Sequence, residues 1–182
     1  MTISSIGVIW MYCRMCQNAV LTDCTMNDPQ HNQGATRMSL NEKAKELGID
    51  INDYTPSGSL APATRIGNTI YVSGHVSVGY KGKLGADVSV EDGQAAARIC
   101  AVQLLQAAHT LTGTLDNLRL RKLLGAVNST PDFTDQHLVI NGASQLFWDL
   151  YDGELHARSA LGFVSLPLGF AVEIEAIFEV VE

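Results

Sequence analysis

Toward the end of the chain, apolar and polar positions alternate. Val172, Ile174, Ala176, Phe178 and Val180 fall on one side, and Glu173, Glu175, Ile177 and Glu179 on the other. A period of two is that of a strand with one buried and one mostly polar face. After Ser89 the period changes. Ala97, Cys100, Ala101, Leu104, Ala108 and Leu111 follow helical spacing, with Ser89 as N-cap and Asp92 three residues on. The many alanines predict a helix packed closely on a sheet. A second helix, over 136–153, carries Val139, Ala143, Leu146, Phe147 and Leu150 as its apolar stripe. Gly142 inside it costs ~1 kcal/mol relative to alanine, which predicts a close contact or a kink there. Gly153 is placed to close it.

Between these elements, LRLRKLLGAVNS (118–129) reads as a strand, and ATRIGNTIYVSG as a hairpin about Gly67-Asn68. HVSVGYKGKLGADVSV is a glycine-punctuated loop. Residues from 156 read as a further strand, with Leu166-Pro167-Leu168-Gly169 as the turn into the last one. The order is β-β-α-β-α-β-β, which predicts an α+β fold with two helices packed on one face of a mixed β-sheet. Something must cover the other face, and in a domain this small an oligomer is the economical answer.

The first 37 residues show neither period. Met38 opens MSLNEKAKELGID, with Ser39 as N-cap and Glu42 three residues later, the pattern of a capping box. We therefore expect residues 1–37 to be an extension outside the domain and 38–182 to be the domain. Cys13, Cys16, Cys24 and His31 fall in the extension. A C-x-x-C there lacks the second close ligand pair of a structural zinc site, so no metal is expected. IGVIWMY has no basic segment before it, so a signal peptide is not the favoured reading.

Composition narrows the function classes. The chain has 182 residues, 46% of them hydrophobic, which is enough for a real core. The net charge of −7 argues against a phosphate-binding surface, and so against a nucleic-acid partner. No run of ~18 apolar residues predicts a membrane span. Three of the four cysteines precede residue 25, so the domain is no disulfide scaffold and a cytoplasmic protein is expected. Cys100 is most simply a small core residue.

One residue breaks the pattern. Arg158 stands in HARSALGFVSLPLGF among small and apolar neighbours. A guanidinium binds a carboxylate bidentately and stays charged when partly buried. On a strand, Arg158 shares a face with Ala160, Gly162 and Val164, which suggests room for a small ligand. A structural ion pair with a glutamate of the last strand is the competing reading.

Four segments together resemble one family. They are G-N-T-I-Y-V-S-G (67–74), V-S-V-E-x-G-Q-A-A-A-R (88–98), V-I-N-G-A-S (139–144) and A-R-S-x-x-x-x-x-x-L-P (157–167), the last followed by E-I-E-A. In this order they resemble the Rid family of reactive intermediate deaminases, also called YjgF-like or endoribonuclease L-PSP-like proteins. With D-F-T-D-Q and H-A-R-S-A the chain looks most like a divergent branch.

The resemblance implies a chorismate-mutase-like fold, a homotrimer with ligand clefts between subunits, and no cofactor or metal. The implied reaction is hydrolysis of enamines and imines of the 2-aminoacrylate type to 2-keto acids and ammonia. It implies that Arg158 holds the substrate carboxylate and that Glu173 contacts a water near the substrate. It also implies that Asn141 shapes the cleft and that the backbone of Ser73 and Gly74 lines it. The family's frequent cysteine two residues after the arginine is Ala160 here, whose backbone N–H remains able to donate to the carboxylate. Its frequent tyrosine before the first strand is Leu60. These departures keep a second reading open, a non-catalytic protein that binds a small carboxylate in the same cleft. His75 and His156 belong to no catalytic set implied by the resemblance, and each reads as an edge polar residue. Fold resemblance does not carry chorismate mutase chemistry.

Overall fold

The computed structural model describes residues 38–52, 54 and 58–182. The expectations for the N-terminal extension, including its cysteines and His31, lie outside the described residues. Helix α1 (Leu40–Glu46) opens with the predicted capping box: the Glu42 N–H donates to Ser39 Oγ at 3.1 Å, and the Ser39 N–H to Glu42 Oε2 at 3.0 Å. Strands β1 (Ala63–Ile66) and β2 (Thr69–Val76) form the hairpin, with Gly67 at φ +57° in its turn. Helix α2 (Val90–Thr112), strand β3 (Leu118–Asn128), helix α3 (Gln136–Leu150), strand β4 (Ala157–Phe163) and strand β5 (Val172–Val180) follow. No helix among the described residues is long and apolar enough to cross a membrane.

The five strands form one mixed sheet in the order β1-β2-β5-β3-β4. Strand β4 runs parallel to β3, and every other pairing is antiparallel. The last two strands are therefore not neighbours, although only a short segment joins them. The chain returns from β3 through α3 to lay β4 on the outer edge. It then crosses the end of β3 and inserts β5 on its other side. Asn128 fixes that crossing, donating from Nδ2 to the carbonyls of Gly82 at 3.0 Å and Phe170 at 3.2 Å. Lys83 donates to Asn128 Oδ1 at 2.8 Å and also reaches the Val164 carbonyl.

Helices α2 and α3 pack on the face formed by Ile70, Val72, Leu123, Val127, Val172, Ile174, Ala176 and Phe178. The alanine-rich side of α2 is buried there, with Ala96, Ala97, Ala101, Ala107 and Ala108 all fully enclosed. Cys100 joins them, and burial pushes its thiol pKa far up, so it is an inert core residue. Gly142 marks the close contact between the helices. A Cβ there would lie 2.1 Å from the Gln94 carbonyl oxygen. Helix α3 ends at Tyr151 with Asp152 at φ +54°, and Gly153 N–H donates to the Trp148 carbonyl at 2.9 Å. Asp152 thus takes the left-handed position, and Gly153 the one after it.

Among the described residues, no element covers the opposite face. It carries Tyr71, Leu124, Ile177, Leu161 and Phe163 together with Glu173, Glu175 and Lys122. Tyr71, Leu161 and Phe163 are each more than two-fifths exposed.

Candidate active site

Strand register decides where each predicted residue points. Arg158 pairs with Leu123, which pairs with Ala176, and both partners are buried on the helix side. Arg158 therefore emerges on the helix side, at the free edge formed by β4. There α3 meets it. Asn141 and Ser144 stand three residues apart and so share one side of the helix. Arg158 Nη1 donates to Asn141 Oδ1 at 2.8 Å and to Ser144 Oγ at 3.0 Å. No carboxylate pairs with Arg158 among the described residues. The guanidinium is aimed by neutral oxygens and keeps its full charge for an anion.

His156 completes this cluster. Two residues before Arg158, it falls on the same side of the strand path. Its Nε2 lies 3.2 Å from Ser144 Oγ, and its ring meets Phe147 edge-on with centroids 6.2 Å apart. Burial, and then the Arg158 charge, hold its pKa below the ordinary value. Asn141, Ser144, Gln145, Trp148, Leu155, His156 and Arg158 line a groove of about 380 Å³. Trp148 rests its ring on Gly153, where a Cβ would lie only 3.2 Å from the indole.

The ligand space is not where the strand pattern alone put it. Beyond Ala160, the position above Gly162 is filled. A Cβ at Gly162 would lie 2.6 Å from Gln136 Nε2 and 2.9 Å from Ser129 Oγ. Ala160 is half-buried against the core and faces Gly125. The open space lies the other way, toward His156, Trp148 and Leu155.

Glu173 is elsewhere. It alternates with buried Val172 and Ile174 and pairs with Ala126 and Val76, so it points to the uncovered face. Burial, and then the neighbouring Glu175 charge, raise its pKa above the ordinary carboxylate value. Its carboxylate lies over Gly74, where a Cβ would come within 2.2 Å of Glu173 Oε1. Ser73 and Gly74 form a bulge in β2 between the pairs Val72–Ala176 and His75–Ile174. The Ser73 hydroxyl donates to the Ala61 carbonyl at 2.8 Å. Leu60, just upstream, is 80% exposed.

Each chain thus holds two clusters on opposite faces of its sheet. Arg158, Asn141, Ser144 and His156 form one; Glu173, Gly74 and Ser73 form the other. In the sequence Ser144 is not singled out, and His156 reads as an edge polar residue; the structure brings both to Arg158. His75 is a different case. It is 4% exposed, lies edge-on to Tyr54 at 4.8 Å, and has its pKa lowered by burial. It belongs to the core side and joins neither cluster.

Residues 51–180 match the family model described as Endoribonuclease L-PSP. Protein TCP17 of Trypanosoma cruzi is 42% identical over 149 residues, covering 74% of this chain and 90% of that protein. The crystal structure of Atu1372 from Agrobacterium tumefaciens is 41% identical, covers 78% of this chain and 92% of that one, and superposes with a TM-score of 0.70. The Escherichia coli YjgF gene product shares the fold at 22% identity and a TM-score of 0.52, covering 72% of this chain and 95% of its own.

Proposed function

The chain belongs to the endoribonuclease L-PSP family of YjgF/RidA-like proteins, and from that premise we propose that it hydrolyses small anionic imines or enamines to 2-keto acids and ammonia. The observation that carries this reading is the state of Arg158. A half-buried guanidinium at the sheet edge, held by Asn141 and Ser144 and with no carboxylate partner among the described residues, is built to receive one from a ligand. An internal ion pair, the competing reading, has no acid to form it among the described residues.

The separation of Arg158 from Glu173 says how the site would be completed. Two clusters on opposite faces of one sheet do not converge on a small molecule within one chain. Association of copies through the uncovered face would bring the β4 edge of one against Ser73, Gly74 and Glu173 of the next. The exposed Tyr71, Leu161 and Phe163 give that association apolar surface to bury, and we assign it to a homotrimer. Arg158 would anchor the carboxylate, and Glu173 of the neighbouring copy would hold the attacking water. Free imines of this kind hydrolyse unaided, so positioning plus one proton transfer suffices. The net charge of −7 does not favour a ribonuclease.

A coupled assay tests this. An amino-acid oxidase or a serine dehydratase generates the imine, and its decay is followed with buffer, protein, or Arg158→Ala. Acceleration that is lost in the variant is the expected result. Unchanged decay of several imines, with a keto acid still bound through Arg158, would favour the second reading, a carboxylate-binding protein. The absence of a thiol at Ala160 and of a phenol at Leu60 is the specific observation behind that reading.

A further inference from the structure

Glu173 is not the only group able to move a proton, since the Arg158 groove contains one of its own. Ser144 Oγ accepts from Arg158 Nη1 at 3.0 Å and lies 3.2 Å from His156 Nε2, so one hydroxyl ties the guanidinium to the imidazole. The groups that face His156 are few. Helix α3 presents Ser144, Phe147 and, along the groove, Trp148, none of them charged. Its own segment presents Arg158, and Glu154 is engaged by Arg119 and Arg121. From the neighbouring strand β3, Lys122 donates to Ser159 at 2.7 Å on the other face. Among the described residues, the charge that acts on His156 is therefore that of Arg158.

We propose that His156 is the proton-transfer group of this groove, and that a carboxylate docked on Arg158 switches it into a proton acceptor. The inference rests on the carboxylate-binding reading of Arg158. In the free protein burial, and then the adjacent guanidinium, disfavour imidazolium and hold the His156 pKa below its ordinary value. A bound carboxylate offsets that charge, and the proton affinity of the ring rises. Binding of the anion and of a proton then help each other, as linked equilibria must.

In hydrolysis of a protonated imine, water adds to the carbon as the C=N π pair moves to nitrogen. The proton released by that water goes to His156 Nε2. His156 returns it to the amine nitrogen, the C–N bond breaks, and ammonia leaves with the hydroxyl proton as ammonium. The 2-keto acid remains, and His156 is neutral again.

Titration calorimetry with pyruvate, a stable 2-keto acid, tests the switch. Runs in two buffers of different ionisation enthalpy, from about pH 5.5 to 7.5, count the protons taken up. We expect uptake approaching one proton between the free and bound pKa values of His156. There, affinity falls by up to about tenfold per pH unit as pH rises. His156→Gln should bind pyruvate without that uptake, and Glu173→Gln should retain it. Binding by the unaltered protein with no proton uptake overturns the switch and leaves the carboxylate reading intact. Uptake that persists in His156→Gln and disappears in Glu173→Gln also overturns it. No binding of pyruvate at all sinks the carboxylate reading, and the switch with it. The proton count of the unaltered protein is decisive even if His156→Gln does not fold.

Discussion

The two faces of the sheet obey different rules. On the helix side, β2, β3 and β5 present apolar residues to α2 and α3, and the contacts close within one chain. On the other side, Leu124, Ile177 and Phe163 stand among Glu173, Glu175 and Lys122, and no element among the described residues covers them. Strand β5 carries both rules in adjacent residues: Phe178 is fully buried and Ile177 half-buried. The first face holds the fold together. The second is unfinished surface, and it carries half of the candidate site.

The largest expected effect comes from the packed side. Gly142→Val should destabilise by about 3 kcal/mol or more, because its Cβ meets the Gln94 carbonyl, a backbone atom that cannot swing aside. Denaturant melts would show it, and a melt unchanged from the parent would refute the tight α2–α3 contact. Next come the neighbours on β5. Phe178→Ala should cost about 3–5 kcal/mol, whereas Ile177→Ala should change subunit stability by less than ~1 kcal/mol and weaken self-association instead. Sedimentation equilibrium separates the two; equal losses of stability would erase the distinction between the faces.

Arg158→Ala should leave the melt nearly unchanged and weaken 2-keto acid binding about 10–100-fold, the range for a charge-assisted pair. A smaller effect still follows from pH. The folded pKa values of His75 and His156 lie below the unfolded value of about 6.5. Their neutral forms therefore contribute stability that is present above that value and lost as pH falls through the folded pKa. Melting points should drop as pH falls below about 6.5, and His75→Gln should flatten the slope. Glu173 has the opposite sign. Its raised pKa makes the charged form unfavourable, so stability present below the ordinary carboxylate pKa is lost as pH rises through the folded value. Glu173→Gln should raise stability slightly at pH 7, by less than ~1 kcal/mol after solvent screening.

How much could be read beforehand depended on the range of the interaction. The Ser39–Glu42 capping box, the Gly67-Asn68 turn and the alternation of β5 are local, and the sequence carries them openly. The Arg158–Asn141 bond spans 17 residues; the family resemblance brought Asn141 to the cleft, and only the fold pairs it with Arg158. Ser144 and His156 were visible only as spacings, three from Asn141 and two from Arg158, with nothing to say that α3 and β4 meet there. The insertion of β5 between β2 and β3 was not legible, because Leu166–Gly169 gives the same turn signal whether the chain folds back beside β4 or crosses β3.

The sequence by itself determined the elements, the buried face of each, and the presence of one arginine on an otherwise small and apolar strand. Those features depend on periods of two and 3.6 and on caps within a few residues. Only the tertiary structure decided which strands are neighbours, that Arg158 is aimed by neutral oxygens, that His156 stands beside it, and that Glu173 lies on the other face. Those features depend on strand order and register, which are set by contacts between segments far apart in the chain.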